Sequence, residues 1–152
     1  MKNTKVIIRK TSKTGLGVLA IRNIKKGDVI HEGKPISLSK QRTSHSFQVH
    51  ENTHVQLDKL SRSINHSCEP NAGIRSNTYL GYNFIALRNI KMNEQITWDY
   101  ETTEYESISV GKCLCGSLKC RGKTQGFRYL SSKIIKSYNG YIADYLKSKN
   151  VL

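Results

Sequence analysis

The sequence predicts a mainly β body closed by one C-terminal amphipathic helix. Short apolar stretches alternate with Gly, Asn and Lys turns and show no long helical period before residue 130. After that point the period changes: Ile134, Ile135, Tyr138, Tyr141, Ile142, Tyr145 and Leu146 recur at three- and four-residue steps. The chain has 152 residues, enough to bury one core but not two independent ones.

The strands are expected at Lys5–Arg9, Gly17–Ile21, Asp28–Glu32, Phe47–Val49, His54–Leu57, Tyr79–Leu87 and Gln95–Tyr100, each bounded by turn residues. The stretch from Ala20 to Ile30 echoes that from Ala86 to Ile96, with Gly27 and Asn93 at equivalent places. Gly and Asn best tolerate a left-handed backbone, so two similar corners follow, whether from duplication or from convergence of two turns. The helix is expected over Ser131–Lys149, with Ser131 or Ser132 as N-cap and Gly140 weakening its middle by about 1 kcal/mol relative to alanine. Docked structural helix and partner-binding helix are both open readings.

A net charge of +14 accompanies 25 Lys and Arg against 11 Asp and Glu, spread along the chain. Such a field suits either a solvated surface or contact with a polyanion. Apolar runs are only a few residues long and no signal-peptide pattern opens the chain, so a soluble, intracellular protein without a membrane partner is expected.

Three of the four cysteines fall within eight residues, Cys113-Leu114-Cys115-Gly116-Ser117-Leu118-Lys119-Cys120. Thiolates this close suit one tetrahedral zinc better than separate disulfides, with free reduced thiols as the alternative. The fourth ligand would be Cys68, which ties the C-terminal loop back to His66-Ser67-Cys68.

Asn65-His66-Ser67-Cys68-Glu69-Pro70-Asn71 is dense in small polar side chains and contains a proline that cannot donate to a ladder, so it reads as an irregular, hydrogen-bonded loop. Trp98 and Tyr100, two apart at a strand end, share a face and either pack in the core or line a pocket. Gly15-Leu16-Gly17 marks a tight backbone approach.

In order and spacing these segments resemble the SET-domain family of lysine methyltransferases. Gly15-Leu16-Gly17-Val18 resembles its G-x-G element, and Arg62 to Asn71 its R-x-[IL]-N-H-S-C-x-P-N signature. Glu94 to Tyr100 resembles its E-[LI]-T-x-D-Y signature, and Cys113 to Gly122 its post-SET C-x-C-x4-C-x-G; the likeness covers roughly residues 4 to 127. It implies small β-sheets around a knot-like substructure, in which the Asn65–Asn71 segment threads under the strand bearing Tyr100. The implied division is a SET domain over 1–103, a post-SET zinc loop over 104–127 and the C-terminal helix over 128–152.

The resemblance also implies S-adenosylmethionine as cofactor, held by Gly15, Leu16, Gly17, Asn65, His66 and Tyr100, with Phe127 covering the adenine. Zinc would sit on Cys68, Cys113, Cys115 and Cys120. Tyr100 corresponds to the catalytic tyrosine, and Trp98 to the position that limits how many methyl groups accumulate, where a bulky aromatic favours di- or trimethylation. His31 stands where the family has a tyrosine that shapes the lysine site, and an imidazole there can charge near pH 6.5. The segment from Pro35 to Leu60, with His45, His50 and His54, corresponds to the insert that forms the peptide groove. The expected partner is a protein presenting a lysine, a histone or another chromatin-associated protein, with nucleic acid or nucleosome contact through the basic surface. The alternative is a SET-like binding module without catalysis.

Overall fold

The computed structural model describes residues 4–150. Ten strands form three small sheets. In the first, β1 (Val6–Thr11) and β2 (Gly15–Ala20) make a hairpin in register from Val6 opposite Ala20 to Thr11 opposite Gly15. Its turn closes on Gly15, whose φ of 73° suits glycine. Strand β10 (Gln95–Trp98) pairs antiparallel with β2 and parallel with the two-residue β7 (Asn65–His66). The second sheet orders β3 (Val29–Glu32), β9 (Tyr82–Ala86) and β8 (Ala72–Ser76), and the third β4 (Pro35–Leu38), β6 (Thr53–Leu57) and β5 (Phe47–His50). All seven expected strands are present. The additional ones, β4, β7 and β8, lie at the edges of their sheets.

The two echoing segments face each other as a reciprocal pair. Ile24 and Ile90 exchange both backbone bonds at 2.8 Å, Gly27 N–H donates to Ala86 O, and Asn93 N–H donates to Ala20 O, each at 2.8 Å. Asn89 Oδ1 accepts from Lys26 N–H and Asn23 Oδ1 from Met92 N–H, both at 2.9 Å. Gly27 and Asn93 both take positive φ, 86° and 69°, so the two corners match in detail. This local two-fold brings β2 and β10 to the molecule's centre, where Val18, Ala20, Ile24, Ile90 and Ile96 are buried.

The C-terminal helix departs from the expected single element. It is split into α2 (Ser132–Ser137), capped by the Ser131 hydroxyl, and α3 (Asp144–Lys147). Asn139 and Gly140 both adopt positive φ, 47° and 81°, which no continuous helix permits. The apolar face survives the break: Ile135, Tyr138, Ile142 and Leu146 are buried in the main core. Tyr138 and Tyr145 turn their hydroxyls inward to Asp99 Oδ2 and Thr103 O, each at 2.5 Å. The segment therefore docks against the chain just beyond β10, as a structural element.

Candidate active site and cysteine cluster

The polar loop after β7 is tied to β10 by one side chain. Asn71 donates through Nδ2 to Gln95 O at 2.8 Å and accepts at Oδ1 from Thr97 N–H at 2.9 Å. Ser67 N–H donates to Trp98 O at 3.0 Å. These bonds hold Asn65 and His66 alongside the strand end that carries Trp98 and Tyr100.

Asn65 Nδ2 donates to Thr14 Oγ1 and to Leu16 O, both at 2.8 Å, so it clasps the turn and second strand of the hairpin. Gly17 leaves room for this packing: a Cβ would lie 2.6 Å from Thr11 Cγ2, 2.8 Å from Gln95 Nε2 and 3.1 Å from Asn65 Nδ2, so these side chains would have to shift. Gly15, Leu16, Gly17 and Asn65 are thus brought together, and Leu16 remains half exposed.

Trp98 satisfies both readings left open by its sequence position. It is 3% exposed, its ring stacks on Phe47 at 5.5 Å and meets Phe84 edge-on at 5.7 Å, yet it also forms one wall of a narrow slot. That slot, about 30 Å³, is lined by Phe47, Arg62, Ile64, Trp98, Tyr100 and Glu104 among others, and holds about two waters' worth of space. Tyr100 Oη donates to Ile64 O at 3.1 Å, and Trp98 Nε1 donates to the same carbonyl at 3.3 Å. Burial pushes the Tyr100 phenol well above its ordinary pKa, so it is a neutral hydroxyl.

His66 accepts at Nδ1 from Tyr100 N–H at 3.2 Å, which leaves its proton on Nε2, 3.4 Å from Cys68 Sγ. Burial, and then the Arg121 charge, push the His66 pKa down to about 4. The imidazole is therefore uncharged at neutral pH although Asp99 lies 3.6 Å away.

Cys68, Cys113, Cys115 and Cys120 point their sulfurs together, all within 4.8 Å of one another. Cys68 and Cys113 are 3.9 Å apart, against about 3.8 Å for two thiolates on a tetrahedral zinc with 2.3 Å bonds. Arg121 N–H and Gly122 N–H donate to Cys68 Sγ and Cys120 Sγ at 3.3 and 3.4 Å. The donor set is compatible with zinc. Lys13 of the hairpin turn and Cys113, Leu114 and Ser117 of the cysteine loop line a shallow, open surface cleft.

Two expected site residues are placed elsewhere. His31 bonds through Nε2 to Asp58 Oδ1 at 2.9 Å and lines a separate cleft with Lys5 and Asp58. The Phe84 ring stacks on its imidazole at 6.4 Å and meets Trp98 edge-on at 5.7 Å. Phe127 is 3% exposed and packs in the hydrophobic core, with its N–H on Glu104 O.

Sequence reasoning missed a buried ion cluster. Asp99 and Glu101, flanking Tyr100, are 1% and 2% exposed, and Arg121 spans both of them. Glu101 also accepts from Gln125 and Gly126 N–H at 2.5 and 2.8 Å. The signal was available: two carboxylates at the end of an apolar strand must find a cation if they are buried.

The small sheets, the loop bound to β10, the aromatic slot with its tyrosine and the adjoining thiol cluster define a β-rich domain with a cysteine cluster compatible with zinc. The family model for the SET domain matches residues 15–101, more than half of the chain. The chain belongs to the SET-domain family. It is 38% identical over 87 residues to "Histone-lysine N-methyltransferase, H3 lysine-4 specific" of Emericella nidulans, covering 53% of this chain and 7% of that protein. It is 34% identical over 127 residues to the protein of the same description from Chaetomium globosum, covering 70% and 12%. It is 30% identical over 133 residues to "Histone-lysine N-methyltransferase Set2" of Drosophila melanogaster, covering 74% and 6%. The chain thus spans between 6% and 12% of the length of these relatives.

Proposed function

We propose that this protein is an S-adenosylmethionine-dependent protein-lysine N-methyltransferase acting on a histone or another chromatin-associated protein within the cell. The reading rests above all on the neutral Tyr100 hydroxyl in the slot beside Trp98, backed by Asn65 and His66. Residues 1–103 form the catalytic domain, 104–127 a zinc-bearing loop on Cys68, Cys113, Cys115 and Cys120, and 128–152 a docking segment.

The cofactor supplies a methyl group on a positively charged sulfur. Gly15, Leu16, Gly17, Asn65 and His66 would bind and orient it. Phe47 and Trp98 exclude water and admit the lysine stem. Because Tyr100 donates its proton to Ile64 O, its oxygen lone pairs are free to accept from the amine and to face partial positive charge. Alignment of the reacting atoms is the main contribution of such a site, since the displacement is in-line. Incubation with labelled cofactor and a mixed protein extract tests the proposal: wild type should label protein and Tyr100→Phe should not. No labelling by either would leave the non-catalytic binding module.

A second reading, contact with nucleic acid, is favoured by how the charge is distributed. Residues 1–27 hold eight Lys or Arg and residues 107–143 seven, and neither stretch has an Asp or Glu. The two stretches meet where Lys13 and the cysteine loop share the open cleft. A nucleosome would present its tail beside phosphate, whereas a free basic tail is repelled at long range. Activity on nucleosomes should fall with added salt, while activity on free histones should rise or hold.

A further inference from the structure

Among the residues lining the aromatic slot, one carries a carboxyl: Glu104. It is 4% exposed and sits one turn beyond Tyr100, its N–H on Tyr100 O at 3.2 Å. Oε1 accepts from Gln48 N–H at 2.9 Å, which fixes the side chain. Oε2 takes no hydrogen bond among the described residues. Its cation, Arg42 Nη2, stands 3.7 Å away, beyond hydrogen-bond reach. Arg42 leaves both Nε and Nη2 buried without a partner, so the guanidinium lends field to the carboxylate without occupying it.

We propose that Glu104 is the proton acceptor for the substrate lysine, an inference that rests on the methyltransferase reading above. A lysine enters the slot as an ammonium, because its pKa of about 10.4 leaves on the order of one in a thousand neutral at pH 7. One Nζ–H bond breaks with its electron pair left on nitrogen, and the proton bonds to Glu104 Oε2. The products are a neutral amine held by Tyr100 and a neutral carboxyl, so charge and protons balance. Reionisation of Glu104 to solvent restores the site.

The surroundings suit the task. Burial pushes the Glu104 pKa up to about 7, against the Gln48 N–H and the Arg42 charge, which act the other way. An ordinary carboxylate would be too weak a base, whereas one near the working pH is well matched. The other charged or titratable groups around it are Arg62, His45 and Tyr100 in the slot, His54 beside Arg42, and Tyr82 and Tyr145 behind. Tyr82 and Tyr145 donate to the backbone at Gln48 and Thr103, and burial raises the pKa of both, so they stay neutral.

The test measures kcat and KM against pH for wild type, Glu104→Gln and Arg42→Gln, using core histones and a mixed extract with labelled cofactor. Glu104→Gln keeps an acceptor for Gln48 and should lower kcat about 100-fold with KM nearly unchanged. Arg42→Gln removes a cation that favours the carboxylate, so the acid limb should move to higher pH. A Glu104→Gln enzyme within about twofold of wild type, or an Arg42→Gln limb that does not move, would overturn the proposal. Carbon-13 glutamate spectra, assigned with Glu104→Gln, supply a readout without turnover. The Glu104 carboxyl should shift on adding n-butylammonium; if wild type labels no protein, the methyltransferase reading fails, while this shift or its absence still decides the carboxylate's role.

Discussion

Arg121 lays Nη2 against both oxygens of Asp99, at 2.8 and 2.7 Å, while its Nε donates to Glu101 at 2.7 Å. Arg121 follows the last cysteine of the C-x-C-x4-C loop, and Asp99 precedes Tyr100. Direct ion pairing therefore fastens the cysteine loop to the strand end that carries the slot, independently of any metal. Because both acids are almost fully buried, Arg121→Leu leaves uncompensated charge and should destabilise the fold by about 3–5 kcal/mol. Denaturant titration checks this, and Arg121→Lys should recover part of the loss by restoring charge without the fork.

The thiol cluster makes a separable prediction. Cys113→Ser should abolish zinc binding, measured as metal content per chain, and should abolish methyl transfer. The far-UV circular dichroism of the β body should persist, because the hydrophobic core is built from the three sheets and the docked C-terminal segment. Chelation of the wild type should give the same pair of results. Loss of all β signal on chelation would show that zinc holds the whole fold rather than the loop.

Much of this architecture was legible because motif residues do several jobs. Asn71 marks the signature in sequence and, in space, is the side chain that stitches its loop to β10. The echo of Ala20–Ile30 in Ala86–Ile96 foretold two like corners, though not that they bond to each other. Strand β8 escaped because Ala72, Gly73 and Ile74 are all buried, so it lacks the alternation that announces a strand. Strand β7 is two residues long and exists only through its parallel neighbour. The helical period over 131–149 was real, but two successive positive-φ residues broke the backbone without disturbing the apolar face. His31 and Phe127 were assigned by alignment alone, and their partners Asp58 and Glu104 are distant in sequence.

Trp98 should set the extent of methylation. Its ring is clamped between Phe47 and Tyr100, with centroid distances of 5.5 and 4.8 Å, and its indole N–H is spent on Ile64 O. It offers the slot no hydroxyl to retain a water, so the amine has room to turn and accept further methyl groups. Mass spectrometry of exhaustively treated substrate should show di- or trimethyl-lysine for wild type and an increased monomethyl share for Trp98→Tyr. Monomethyl product alone from wild type would refute the assignment.

Acid stability should depend on Glu94. Its hydrogen bond with Arg88 is the largest influence, followed by burial, which opposes it, and then the Lys91 N–H at 3.0 Å and Asn71 Nδ2 at 3.3 Å; together they lower the pKa to about 2. A carboxylate whose folded pKa is depressed binds fewer protons folded than unfolded, so its stabilisation is complete above about pH 4.5 and is lost as pH falls toward 2. Because Arg88 is exposed, solvent screening limits the gain to about 1 kcal/mol, and less in salt. Glu94→Gln should therefore be less stable than wild type at pH 7, and the two should converge near pH 2. Because Asn71 shares Glu94 with Arg88 and also holds Thr97, the variant should loosen the junction of β10 with the polar loop. Faster amide exchange at Thr97 in Glu94→Gln would report that loosening, and unchanged exchange there would confine the effect to the surface pair.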